Sequence, residues 1–274
     1  MRLRSAQLPN GLTLPYAEQG DRSGDPVVFL HGYTDSWRAF ELVLPHLPRS
    51  IHAFAVTQRG HGDADRPASG YELEEFTADV AAFMDTVALE AAVIVGSSSG
   101  GYTAQRFSVD HPQRTLGMVL IGTPRSLRDK PAVARFSAAL SELSDPIDPA
   151  FAREFVESTV FRPVPAAFLE AMVGECLKVP AHVWKATLQG LLEAVPPTEI
   201  ATITAPTLIL WGDRDEFLPR SDQEALAAAI AGSRLVIYEG TGHVVLWEEP
   251  VRVAAEVVAL VERVTRPEAP PLGR

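Results

Sequence analysis

Six short apolar runs constrain this chain more than anything else in its sequence. They are Pro26–Leu30, Ile51–Val56, Ala91–Val95, Leu116–Ile121, Thr207–Trp211 and Leu235–Tyr238. A strand with one face in water alternates polar and apolar residues. These runs do not alternate, which fits strands buried on both faces, as in a parallel sheet. Helical patterns lie between them. Phe76, Val80, Phe83, Met84 and Val87 share one helical face. The segment from Gly100 to His111 stops before Pro112. Pro250 opens a last helix, Val251–Val264, with Glu248 and Glu249 near its positive end. This alternation closes into an α/β fold, a doubly wound, mostly parallel sheet with right-handed crossovers. Asn10-Gly11, between two short extended segments, adds a hairpin turn at the start.

One region departs from that rhythm. Between Arg125 and about Ile200 no strand pattern occurs. Helix-like pieces there are cut by Pro131, Pro146, Pro149, Pro163, Pro165, Pro180, Pro196 and Pro197. The expectation is an inserted helical cap over 125–200, between two parts of an α/β core, 1–124 and 201–265. A proline-rich tail, 266–274, is expected to fray. An insertion after the fourth apolar run lies over the carboxyl ends of the strands, where open α/β sheets bind ligands.

The third run leads directly into Gly96-Ser97-Ser98-Ser99-Gly100, a G-x-S-x-G pattern with Ser98 at its centre. A tight strand-to-helix turn needs glycines where side chains would strike neighbouring backbone. It lifts the central hydroxyl above the sheet at a helix amino end. The same pattern also describes a bland Ser/Gly loop, so the strand before it and the helix after it carry the reading. Three consecutive serines compete for the role, and motif register favours Ser98.

A serine hydroxyl is a poor nucleophile until a base takes its proton. Seven histidines are present. His243, in Thr241-Gly242-His243, is the one that follows the last strand and precedes the last helix. The base in turn needs a carboxylate to hold its tautomer. Trp211-Gly212-Asp213-Arg214-Asp215 offers two after the fifth run. Asp215 stands farther out and is the expected acid, while Asp213 is expected to cap the loop or pair with Arg214. An oxyanion hole needs two backbone donors. The amide of Ser99 is one, and the amide of Tyr33, in His31-Gly32-Tyr33 at the end of the first run, is the other.

Bulk composition narrows the partners. The net charge of −11 repels phosphate backbones and anionic lipid, and no basic run reaches five residues. Nucleic acid and membrane surfaces are therefore not expected. Cys176 is the single cysteine, so no internal disulfide is possible. The first residues carry no apolar stretch of signal-peptide type, and no run approaches 18 apolar residues. A cytoplasmic protein, monomer or homodimer, is expected. No histidine or carboxylate cluster has metal-ligand spacing, so neither metal nor cofactor is expected.

These pieces resemble the α/β-hydrolase superfamily over nearly the whole chain. The likeness is to its cap-bearing serine hydrolase and esterase branch, which includes small esterases, cofactor-free haloperoxidase/perhydrolases and carbon–carbon bond hydrolases. It rests on His31-Gly32-Tyr33, Gln58-Arg59-Gly60-His61-Gly62, the turn around Ser98, Trp211-Gly212-Asp213-Arg214-Asp215, and Gly242-His243 with Trp247-Glu248-Glu249-Pro250. The resemblance implies the triad Ser98, Asp215 and His243, the amides of Tyr33 and Ser99, and the helical cap. It also implies a structural role for the loop holding His61. Relatives commonly place His before the nucleophile and Met, Leu or Trp after it. Here Ser97 and Ser99 flank Ser98, which bears on substrate choice and leaves the mechanism intact.

The expected activity is hydrolysis of small to medium carboxylic esters through an acyl-enzyme. Alternatives on the same triad are carbon–carbon bond cleavage, lactone hydrolysis and perhydrolysis. A slow-turnover ligand-binding protein is a further alternative. Dehalogenases and epoxide hydrolases of this type use aspartate where Ser98 stands. Leu218 and Val244, beside triad positions, and Trp184 from the cap aromatics are expected to line the pocket. Most of the other cap aromatics, Phe136, Phe151, Phe155, Phe161 and Phe168, are expected to form the cap's own core.

Overall fold

The computed structural model describes residues 1–128 and 130–266. Of the tail expected to fray, 267–274 lie outside the described residues. Two antiparallel strands open the chain, Arg2–Gln7 (β1) and Thr13–Gln19 (β2). Gly11 turns between them at φ +88°, and the Asn10 side chain accepts a hydrogen bond from Leu12 N at 3.2 Å. Then come Asp25–Leu30 (β3), Ile51–Val56 (β4), helix Leu73–Thr86 (α1), Ala92–Ser97 (β5), helix Ser99–Asp110 (α2) and Thr115–Ile121 (β6). Five helices follow: Pro131–Ser141 (α3), Pro149–Ser158 (α4), Ala166–Leu177 (α5), Ala181–Glu193 (α6) and Pro197–Ile200 (α7). The chain then returns to the sheet with Thr207–Gly212 (β7), helix Arg220–Ala229 (α8), Arg234–Tyr238 (β8), the short Val245–Glu248 (α9) and the long Pro250–Thr265 (α10).

The strands form one sheet in the order β1-β2-β4-β3-β5-β6-β7-β8. Pairs involving β2 are antiparallel and the rest are parallel. The missing alternation has its explanation here, because both faces are covered. Val93 and Val95 of β5 enter one apolar cluster with Val253, Val257 and Leu260 of α10. Ala92 and Ile94 enter the other with Phe83 of α1, Phe107 of α2 and Leu226 of α8. Each Val or Ile buried this way contributes about 1.5–3 kcal/mol relative to an exposed one. The edge strands are the exceptions: Leu3 of β1 lies 62% exposed, and Leu235, Val236 and Ile237 of β8 are half-buried.

Among the described residues no strand lies between β6 and β7. Prolines open α3, α4 and α7, where the missing amide costs nothing. Trp184 of α6 is fully buried, with the rings of Phe136, Phe151 and Phe155 at 6.2, 5.6 and 5.2 Å. Phe168 sets its edge against Trp247 at 5.4 Å, and Phe161 is 56% exposed. Among the described residues no helix is long and apolar enough to cross a membrane.

Candidate active site

Ser98 sits between β5 and α2 at φ +49°, a strained backbone for a residue with a side chain. The surroundings leave no other path. A Cβ on Gly96 would stand 2.4 Å from Gly100 O, and one on Gly100 would stand 2.3 Å from Leu30 O. The turn is tied back by Ser98 N, which donates to Ile121 O at 2.8 Å. These constraints aim Oγ away from the sheet at the amino end of α2.

The loop after β7 brings in a carboxylate. Asp215 Oδ1 accepts from Phe217 N at 2.8 Å and Leu218 N at 3.0 Å, an Asx turn that fixes the side chain. Trp211 Nε1 donates to Leu218 O at 3.0 Å and holds the far end of that turn. Oδ2 is then free for His243 Nδ1, 2.7 Å away, and the Asp215 side chain is fully buried. Asp213 turns elsewhere. It accepts from Gly240 N at 2.5 Å and stands 3.7 Å from Arg214 Nε.

The loop between β8 and α9 carries His243, whose Nε2 lies 3.0 Å from Ser98 Oγ. Its backbone is gripped by the inserted helices: His243 N donates to Thr159 O at 3.0 Å. Glu248 Oε1 accepts from both Phe161 N at 2.8 Å and Gly242 N at 3.1 Å. Burial alone would lower the imidazole pKa. The charge and hydrogen bond of Asp215 outweigh burial, Asp35 adds to them, and the net shift is upward.

At the end of β3, His31 Nδ1 donates to Gly32 O at 2.8 Å while Nε2 accepts from Gln58 N at 2.9 Å. Burial holds this histidine well below its usual pKa, and nearby His61 adds to the shift. It is thus a neutral clamp on the loop carrying Tyr33. That loop lies against the turn at Ser98, since a Cβ on Gly32 would stand 3.4 Å from Ser98 Cβ. Among the described residues the amides of Tyr33 and Ser99 have no backbone acceptor, as two donors kept for a ligand would. His61 Nδ1 donates to Arg59 O at 2.7 Å, and burial holds its pKa down at about 4.

A cavity of about 90 Å³ opens over Ser98. Its walls include Leu127, Phe136, Leu188, Leu191 and Leu218, with Ser98, Ser99 and His243 at the base. Val244 lines a smaller chamber beside it. The expectation for Trp184 is corrected: it lines neither space. Its ring stands behind Tyr33 at 5.3 Å, and its carbonyl accepts from the Tyr33 hydroxyl. Tyr33, Phe136 and Phe155 occupy the wall instead, because a fully buried indole has no face left to present.

Sequence reasoning missed Thr159, Phe217 and Asp35. Thr159 holds the histidine loop through a carbonyl, which no residue type signals. Phe217, 5.2 Å from the His243 ring, was visible as an apolar neighbour of Asp215. Asp35 was visible only as an acid three residues beyond Gly32. Among the described residues no three His, Cys, Asp or Glu side chains gather as a metal set.

The family model described as "Alpha/beta hydrolase family" matches residues 27–256. The AB hydrolase superfamily protein YisY of Bacillus subtilis is 28% identical over 242 residues, 84% of this chain and 89% of that one. A non-heme chloroperoxidase of Streptomyces lividans is 26% identical over 280 residues, 92% of this chain and 97% of its own. Among solved structures, the esterase RhEst1 from Rhodococcus sp. ECU1013 has a TM-score of 0.85 at 27% identity, covering 96% of this chain and 100% of that one.

Proposed function

The chain belongs to the alpha/beta hydrolase family, and from that premise we propose that it is a serine hydrolase of small to medium carboxylic esters, with Ser98 as nucleophile, His243 as base and Asp215 as the acid that orients the base. The observation that carries this reading is a pair of hydrogen bonds in series. Ser98 Oγ to His243 Nε2 measures 3.0 Å, and His243 Nδ1 to Asp215 Oδ2 measures 2.7 Å.

With Nδ1–H donating to the carboxylate, Nε2 is left to accept the serine proton. Ser98 Oγ attacks the ester carbonyl as His243 takes that proton, and the amides of Tyr33 and Ser99 hold the tetrahedral oxyanion. The imidazolium, steadied by Asp215, returns the proton to the leaving alcohol. Water then repeats the sequence on the acyl-enzyme. The apolar cavity suits an alkyl acyl chain, and the helices α3–α7 act as the cap that closes it off from solvent. Binding of a small apolar ester needs no nucleic acid, membrane or metal.

Turnover of p-nitrophenyl esters from acetate to decanoate by wild type and Ser98→Ala tests the reading. Rapid multiple turnover lost by about 10⁴-fold or more in the variant is expected. Activity surviving in Ser98→Ala, on folded protein, sinks it.

A further inference from the structure

Beside the cavity over Ser98 lies a smaller chamber of about 40 Å³, and both share Tyr33, Phe155, Thr159, Ser98 and His243. The remaining walls differ. The larger cavity is finished by Leu, Val, Phe and Pro side chains and Ser99. The smaller is finished by Gly32, Asp35, Ser97, Val156, Val244 and Trp247, so Asp35 supplies the single carboxylate of either wall. Its Oδ2 lies 3.1 Å from the point a Gly32 Cβ would occupy, and Ser98 Cβ lies 3.4 Å from that same point. Carboxyl and nucleophile therefore look into one space.

The Asp35 carboxyl takes a backbone hydrogen bond at Gly32 and, among the described residues, pairs with no cation. Its backbone N–H closes the turn on Gly32 O at 3.3 Å. The nearby Glu175 takes the cations: Arg38 at 3.4 Å and Lys178 at 3.0 Å. Among the described residues Asp35 enters no ion pair. A half-buried carboxyl without a cation is costly, and such groups collect where a ligand supplies a further partner. Burial lifts this carboxyl to about 7, with His243 and the Gly32 hydrogen bond opposing the rise and Glu175 adding to it. Ionised or protonated, it keeps an oxygen that can accept from a hydroxyl.

We propose that Asp35 makes the smaller chamber the alcohol-side subsite, selecting esters whose leaving alcohol carries a second hydroxyl over those of alkyl alcohols of equal size. The inference rests on ester hydrolysis at Ser98. The larger apolar cavity takes the acyl chain, which leaves the smaller chamber for the alcohol. His243 lines that chamber, where it must reach the leaving oxygen. An alkyl alcohol there would desolvate the Asp35 carboxyl and give it no further donor, whereas a hydroxyl two carbons beyond the ester oxygen would supply one.

The test compares kcat/KM for 2-hydroxyethyl butanoate and propyl butanoate, and for the acyl-side pair ethyl 3-hydroxypropanoate and ethyl butanoate, in wild type, Asp35→Asn and Asp35→Leu. Wild type is expected to prefer the hydroxyethyl ester roughly tenfold. The ratio should fall to near one in Asp35→Leu and only partly in Asp35→Asn, whose amide oxygen still accepts. The acyl-side pair should show no such preference. Because each result is a ratio within one protein, a general loss of activity cancels. Should Asp35→Leu not fold, the wild-type ratio and its decline in Asp35→Asn still decide the matter. A wild-type ratio near one, a preference that survives in Asp35→Leu, or a preference on the acyl side instead overturns the subsite. Turnover of none of the four esters removes ester hydrolysis itself, and the inference falls with it.

Discussion

Asp215 Oδ2 and His243 Nδ1 stand 2.7 Å apart, and the same carboxylate is held from behind by the amides of Phe217 and Leu218 at 2.8 and 3.0 Å. The acid is thus fixed by its own loop before it meets the histidine, and its side chain is fully buried. In the proposed mechanism, preorganisation of this kind would let the carboxylate steady an imidazolium without reorganising when the charge develops.

Asp215→Asn should therefore lower kcat by about 10³–10⁴, because an amide NH₂ facing Nδ1 favours the tautomer that cannot accept from Ser98. Asp213→Asn should cost less than about tenfold, since that carboxylate accepts from Gly240 N while His243 Nδ1 bonds Asp215. Steady-state kinetics on one ester rank the two variants. A larger loss in Asp213→Asn would move the acid role to that residue.

The acid limb of the pH profile follows from the same contact. Only neutral imidazole accepts a proton, and the His243 pKa is raised above its usual 6.5 despite burial. Activity measured as kcat/KM should fall tenfold per pH unit on the acid side, with a midpoint above 6.5. Asp35 contributes to the elevation, so Asp35→Asn should move that midpoint to lower pH. A profile flat to pH 5 contradicts His243 as base.

The buried sheet was the most legible part of the sequence. A strand covered on both faces must be apolar throughout, and all six runs coincide with strands to within two residues at each end. Helix α8 was illegible because its buried face holds Gln223 and Leu226 in a run otherwise polar or alanine, which gives little periodic contrast. Ser98, Asp215 and His243 were legible because each lies just past the carboxyl end of a strand, where topology limits what can meet. Trp184 misled because aromatic size signals burial without saying which side of a wall the ring takes. Asp35 and the Thr159 carbonyl belong to no periodic pattern, and only tertiary placement gives them a role.

Gly96 provides a steric test of the turn that carries the proposed nucleophile. Its missing Cβ would stand 2.4 Å from both Gly100 O and Gly101 Cα, which are backbone atoms that cannot swing away. Gly96→Ala should lose about 3 kcal/mol or more and displace Ser98, so both thermal stability and turnover should drop. Gly174→Ala is the counterpart: the site is exposed on α5 with open space around it, and it should gain about 0.5–1 kcal/mol. Thermal melts of the two variants should move in opposite directions. A neutral Gly96→Ala would mean the turn can relax.

Asp35 also has a stability signature, and its sign can be worked out. The folded carboxyl titrates at about 7 against an ordinary 3.8. Below 3.8 both folded and unfolded chains carry the proton, and the residue costs nothing by this route. Between 3.8 and 7 the unfolded chain has released it while the folded chain holds it, so stability falls as pH rises. Above 7 the cost is complete. Asp35→Asn removes the ionisable group, so its melting temperature should exceed that of wild type by several degrees at pH 8 and by much less at pH 5. Melts at the two pH values decide the point: an equal gain at both would place the effect in packing and not in the charge. A stabilised variant with a lost hydroxyl preference would mark Asp35 as a group kept for its substrate at the expense of the fold.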